Sequence, residues 1–361
     1  MAVARAQPGM VLGRTVYDTT GRVVLESGTK LNQDALRTLA VYRVGEVVVN
    51  DRRVVDVAVQ PLVPPEMESA AAQVLRQLMT EGSGSRETDQ ELIREVENVV
   101  YTMARECFPE VVGEANVNGF LSSEDYLYAQ PARVAGLCML IAKRAGLDTQ
   151  AMTQVGMAAL LMNVGYVRVS ARNLEAPGSM DERVLKELPQ HAQHGAQLLG
   201  QYPQFGPEVI QAVEQHHERW NGTGYPNSVR GPQISPGARI IAVADTYYEL
   251  VSRRPDQPPS MPHEAVEFIL AYSGELFDPA MVQIFARLVP LYPSGITVRL
   301  NTGDVGIVVD SNLGHVGRPV VRVCQAPGGP LRRPYDVNLA DAEHQKLLVV
   351  EVDPFLPVPE D

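Results

Sequence analysis

His216-His217-Glu218-Arg219-Trp220-Asn221-Gly222-Thr223-Gly224-Tyr225-Pro226 is the stretch on which the reading of this chain turns. Two adjacent histidines close a helical pattern over Pro207–His217, and a Gly-Tyr-Pro turn follows them. Imidazole is the commonest nitrogen ligand for transition metals. One helix later comes Ala238-Arg239-Ile240-Ile241-Ala242-Val243-Ala244-Asp245. Ala238, Ile241, Ala242 and Asp245 share a face there, so the carboxylate points where the apolar residues point. A carboxylate on a buried face needs a cation or a hydrogen bond. His191, in His191-Ala192-Gln193-His194-Gly195, is a further candidate. The candidate metal ligands are therefore His191, His216, His217 and Asp245. The competing reading is a hydrogen-bonded polar core, with Asp245 held by a hydroxyl or by Arg239. His194, one turn past His191, reads as a surface residue.

Outward from this stretch the pattern is helical in both directions. Helices are expected over Val134–Ala145, Met152–Met162, Asp181–Leu199, Ala238–Val251, His263–Tyr272 and Pro279–Leu288. Thr88 and Glu91 have capping-box spacing for an earlier helix. Before them, residues 1–60 read as a small α/β unit: strands at 15–17 and 22–25, a helix at 32–42 and a strand at 46–49. Pro61, Pro64 and Pro65 make residues 61–66 a stiff linker. The helical domain then spans 67–290, a β-rich module 291–353, and a proline-containing tail 354–361. The expected fold class is mainly α, with a small N-terminal α/β domain and a small C-terminal β-rich module.

Composition narrows the function classes. With 31 Lys and Arg against 43 Asp and Glu, the 361 residues carry a formal charge of −12. That balance argues against a nucleic-acid or anionic-membrane partner, which needs a basic footprint. The three cysteines, Cys107, Cys138 and Cys324, are odd in number and widely spaced. They fit a reducing, cytoplasmic setting better than a disulfide framework. No apolar run reaches membrane-spanning length, and Met1 to Met10 has no signal-like apolar core.

The motifs together resemble the HD-GYP family of cyclic di-GMP phosphodiesterases, a branch of the HD metal-dependent phosphohydrolases. The resemblance is carried by His191-x-x-x-Gly195, His216-His217-Glu218, Asn221-Gly-Thr-Gly-Tyr-Pro226, Ala238-Arg239-Ile240, Ala244-Asp245, Arg254-Pro255 and Ser273-Gly274-x-x-Phe277-Asp278-Pro279, in the family's order. It implies an HD-type helical bundle, preceded by a small α/β domain and followed by strands.

Where the family has a Leu-Leu-His-Asp-Ile-Gly-Lys pattern, this chain has Leu160-Leu161-Met162-Asn163-Val164-Gly165-Tyr166. Met162, Asn163 and Tyr166 stand at the degenerate positions. Upstream, the alignment puts Tyr126 and Gln130 at the family's Glu and His, and Tyr248 at its second Asp. Bridging carboxylates offset the repulsion between closely spaced cations, and the neutral Asn163 supplies no such charge. A thioether such as that of Met162 is a soft ligand, poorly matched to Fe or Mn. The expectation is thus no metal or a single divalent ion, Fe, Mn or Zn. Three imidazoles with an open position suffice for zinc elsewhere.

For the ligand, the resemblance implies cyclic di-GMP, with Tyr225 and Arg254 as retained binding residues. Trp220, Gly224, Tyr225 and Pro226 lie in a turn-rich segment suited to protein docking. In the family that loop is linked to partners that make cyclic di-GMP, the GGDEF-type cyclases. The leading expectation is a degenerate, catalytically inactive member that acts in cyclic-di-GMP signalling by binding. The alternative is a metal-dependent phosphodiesterase or phosphohydrolase with a reduced, mononuclear site.

Overall fold

Short apolar runs separated by turn residues give the N-terminal unit its form: a ribbon of β1 (Val16–Tyr17) and antiparallel β2 (Val23–Leu25), then α1 (Gln33–Val41). The computed structural model describes residues 3–17, 22–42, 44–45, 47–57, 61–80, 86–107, 126–168, 188–252, 259–354 and 356. Asn32 caps α1 by accepting the Ala35 N–H at 2.8 Å, satisfying a donor that the first turn leaves open. Leu12, Leu31, Leu39 and Val47 bury one another in a small separate core. The strand expected near 46–49 is reduced to a bridge between Leu12 and Val49.

The helical domain begins earlier than expected. Pro65 opens α2 (Pro65–Thr80), where a missing N–H costs nothing, and Val63 is 2% exposed against the helical core. The proline stretch is thus docked rather than free-standing. α3 (Arg86–Glu106) starts two residues before Thr88, so Thr88 does not cap it. α4 (Tyr126–Arg144) runs through Pro131 instead of starting at Val134. Gln130 and Ala132, at 1% and 0% exposure, are packed on either side of that proline. Tertiary burial there overrides a residue that propensity alone places at a helix break.

α5 (Thr149–Leu161) is capped by Asp148, which accepts the Ala151 N–H at 2.8 Å. α6 (His191–Leu199) follows a 3₁₀ turn at Leu188–Gln190, and positions 181–187 of the expected helix lie outside the described residues. α7 (Pro207–Gln215), α8 (Pro236–Val251), α9 (Pro262–Ala271) and α10 (Pro279–Ala286) complete the domain. α4 lies centrally, against α2, α5, α8 and α10, while α7 joins α5, α6 and α8. Leu137, Met139, Leu140, Ile241, Tyr247 and Phe285 are fully buried in this core. Among the described residues no helix is long and apolar enough to cross a membrane.

The C-terminal module is an antiparallel sheet in the order β6-β5-β4-β3-β7, built from β3 (Thr297–Leu300), β4 (Val305–Asp310), β5 (Val320–Ala326), β6 (Gly329–Asn338) and β7 (Val349–Val352). Its register pairs Val298 with Gly306, Val308 with Val321, and Val321 with Val337. β6 is the strand that the sequence pattern hides. It is an edge strand, largely exposed, and carries Arg332-Arg333-Pro334 with no apolar alternation.

The two end modules meet. Arg322 on β5 donates to both carboxylate oxygens of Asp56, at 2.6 and 2.9 Å, to both of Asp336, and to the Arg53 carbonyl. Val54 packs beside Val305, Ile307, Cys324 and Leu356, and Arg5 pairs with Asp353 at 2.6 Å. These ion pairs are partly exposed, so salt screens them as the Debye length shrinks from about 10 Å at 0.1 M to about 3 Å at 1 M. Arg322→Ala is expected to raise the rate of proteolytic nicking between the N-terminal unit and the sheet. High salt should reproduce part of that effect in the unaltered chain. Equal nicking rates for the two proteins at low salt would refute this role for Arg322.

Candidate metal centre

The site is assembled at helix ends. His191 is the first residue of α6, His216 caps the C-terminus of α7, and His217 follows it. The His191 Nδ1 lies 2.7 Å from the Leu188 carbonyl, and the His216 Nδ1 lies 2.6 Å from the Val213 carbonyl. A carbonyl can only accept, so each Nδ1 must carry the ring proton, and each neutral ring then leaves its Nε2 as a bare lone pair. Those two Nε2 atoms face each other at 3.2 Å. The ligand atoms of His191, His216 and His217 all lie within 4.8 Å of one another.

Two lone pairs at that distance repel unless a cation stands between them. A proton would suffice only if one ring became an imidazolium. Burial opposes this, holding His191 down to about 4 and His216 to about 3, with the mutual repulsion of the two rings adding to the second. His217 is pushed well down by burial and by both neighbouring histidines. The donor set therefore fits a divalent metal ion. Two nitrogens each about 2.1 Å from a shared ion stand roughly 3.0–3.4 Å apart for angles between square and tetrahedral, which brackets the observed spacing.

Asp245 is 7% exposed on α8 and stands outside that close set. Its Oδ1 accepts the Gln130 Nε2–H at 3.3 Å. Arg239, weighed above as its partner, instead pairs with Asp278 at 2.8 Å. Met162 is fully buried within the apolar core. Asn163 is half-buried at the turn after α5, where its carbonyl accepts the Tyr166 N–H. Tyr248 is 2% exposed and packs edge-on against Tyr247, also within the core. Of Tyr126 only the backbone is described, and Arg254 lies outside the described residues. His194 is half-buried rather than on the surface, and is not among the three clustered rings.

Two tyrosines bracket the imidazoles. Tyr166 stacks on His191 with centroids 4.1 Å apart at 14°, and Tyr225 stacks on His217 at 4.8 Å and 27°. Burial raises the Tyr225 phenol far above its usual range, with Tyr166, Glu249 and Asp245 adding to the shift and Arg219 opposing it. That phenol stays a neutral donor at any working pH. Two glycines permit these approaches. A Cβ on Gly165 would collide with the His191 carbonyl and sit 2.6 Å from the Gly195 nitrogen. A Cβ on Gly224 would collide with the Arg219 nitrogen and the Glu218 Cα.

The segment expected to dock a partner is half-buried to exposed along its length. Gly224 lies flush on the backbone of 217–219, and Tyr225 is spent on His217. Trp220 is half-buried, with its backbone N–H on the Leu276 carbonyl and the Arg239 guanidinium 5.9 Å from its ring centre. Sequence reasoning passed over Glu218, which is 1% exposed, and did not foresee Gln130 as the partner of Asp245. The position of Glu218 beside the histidine pair was the available signal.

Residues 118–281 match the HD domain family. A cyclic di-GMP phosphodiesterase of Pseudomonas aeruginosa is 32% identical over 202 residues, covering 56% of this chain and 49% of that protein. A cyclic di-GMP phosphodiesterase of Thermotoga maritima is 33% identical over 160 residues, 43% of each chain. The chain thus spans about half the length or less of these relatives. Among solved structures, an HDG"Y"P protein from Bdellovibrio bacteriovorus aligns over 79% of this chain and 96% of its own, with a TM-score of 0.48 and 15% identity.

Two outcomes are expected from this geometry. Gly165→Ala should destabilise the fold by about 2 kcal/mol or more, since backbone must move to admit the methyl. It should also weaken metal binding by displacing His191; an unchanged urea midpoint would count against the packing described. In chelator-treated protein, the folded-state values of His191 and His216 lie below the ordinary 6.5. Their contribution to stability is then fully present above pH 6.5 and drains away as pH falls through that value toward about 4 for His191 and about 3 for His216. Unfolding midpoints measured across that window should fall with acidity, and less steeply once metal is restored.

Proposed function

We propose that this chain, whose residues 118–281 belong to the HD domain family, is an HD phosphohydrolase that holds one divalent ion and acts on a cyclic dinucleotide of the cyclic di-GMP type. The observation that carries this reading is the pair of bare Nε2 atoms facing each other at 3.2 Å. His191, His216 and His217 would hold the ion, with the buried Asp245 of α8 assisting. A bound divalent ion supplies a Lewis acid for a phosphoryl oxygen and lowers the pKa of bound water.

The residues around the triad support one ion rather than two. Asn163 is neutral, Met162 is committed to the apolar core, and Tyr248 is buried against Tyr247. None of the three offers a bridging negative charge at neutral pH. Tyr225 offers a neutral O–H donor beside His217, and Arg219 supplies the nearby positive charge felt by both His216 and His217. A phosphodiester needs donors and positive charge of this kind.

A second reading, binding without hydrolysis, is favoured by the hold of Gln130 on Asp245. That contact occupies one carboxylate oxygen that could otherwise orient a water. Metal analysis of purified protein beside a cyclic di-GMP assay with added Mn or Fe separates the two. The proposal expects one ion per chain and slow release of the linear dinucleotide, abolished by His216→Ala. Saturable binding with no product would establish the second reading. Two or more ions per chain would overturn the single-ion site.

A further inference from the structure

Glu218 is 1% exposed, and among the described residues its Oε2 has no hydrogen-bond partner. Carboxylates are almost never buried this fully without a cation or several donors. Its Oε1 accepts one bond, from the Asn227 N–H at 2.7 Å. That bond reaches across the loop 219–230, whose two limbs are fastened differently. The outer limb is held by backbone: the Trp220 and Asn221 N–H groups donate to the Leu276 and Glu275 carbonyls, and Gly231 closes the base onto Trp220. The inner limb carries Tyr225. It rests on a long Tyr225 N–H to His217 carbonyl bond of 3.3 Å, on the close approach of Gly224, and on the Glu218 carboxylate.

We infer that Glu218 is a positioning residue, a latch whose bond to the Asn227 N–H holds the inner limb closed and seats Tyr225 against His217 beside the histidine triad. The dinucleotide that Tyr225 would meet rests on the function proposed above, whereas the latch itself rests on geometry alone. Glu218 touches neither the metal set nor the ligand on this account. Its effect reaches the ligand through the placement of Tyr225, and it leaves the His191 and His216 hold on an ion intact, because those two rings are oriented by Leu188 and Val213.

The test compares Glu218→Met, which fills the same space but offers Asn227 no oxygen, with Glu218→Gln, which keeps a carbonyl oxygen there. Three readouts are taken on the full chain: amide hydrogen exchange across 219–230, affinity for Mn alone, and affinity for cyclic di-GMP. Losing a hydrogen bond to a carboxylate is worth roughly tenfold or more, so the Met variant should exchange the Asn227 amide about tenfold faster and bind the dinucleotide about tenfold more weakly. Its Mn affinity should fall by much less, and the Gln variant, which keeps an acceptor but not the charge, should lie between the Met variant and the original in exchange and dinucleotide affinity. Wild-type exchange in the Met variant, or equal damage from Gln and Met, overturns the latch. Should the Met variant not fold, rapid exchange of the Asn227 amide in the unaltered protein overturns it instead, and slow exchange upholds it. An unaltered protein that binds no cyclic di-GMP defeats the function proposed above, while the exchange arm still decides the latch.

Discussion

Two backbone carbonyls set the chemistry of this molecule. By taking the Nδ1 protons of His191 and His216, Leu188 and Val213 compel two buried imidazoles to present lone pairs to each other. The arrangement is unfavourable in isolation. It persists because each ring is gripped at its far side by its own chain, three residues back, and because both rings are buried. The bundle, the glycine at 165 and the stacked tyrosines all serve to bring α6 and the end of α7 into this contact.

The charge pattern of the site follows from the same constraint. The side chains that cluster are neutral, and Asp245, outside that cluster, accepts a hydrogen bond from a glutamine amide. On the proposed reading a bound ion would keep much of its positive charge, which favours an anionic phosphodiester over a neutral substrate. In a chain of net charge −12, that local reversal of sign would be the principal attraction offered to such a ligand. Sites built on bridging carboxylates neutralise more of the charge before the ligand arrives.

Much of this was legible in the sequence, and the illegible parts have definable causes. The histidine pair and the face bearing Asp245 could be read because ligand chemistry and helical periodicity are local properties. The inward packing of Tyr225, the Gln130–Asp245 bond and the stacking of Tyr166 on His191 join residues from different elements, and no local pattern encodes them. α4 was read short because Pro131 is a local breaker, whereas the burial that rescues it is tertiary. β6 escaped notice because an exposed edge strand has no buried face to impose alternation. Arg239, one of two alternatives for holding Asp245, pairs instead with Asp278, 39 positions downstream and on another element.

The clasp between the end modules bears on the order of assembly. Arg322 and Asp56 are 266 positions apart, and Arg5 and Asp353 are 348 apart. Closing loops of that length in an extended chain carries a large entropic cost, and that cost falls once the intervening helices have compacted and brought the ends near. Compaction of the helical domain therefore favours the meeting of the β-sheet with the N-terminal unit. Arg322 lies on β5, so its pair with Asp56 can form only after the chain has been synthesised through that strand. Asp51, already paired with Arg53 beside it, needs no partner from the sheet, whereas Asp56 gains its contact with Arg322 only when the two ends meet.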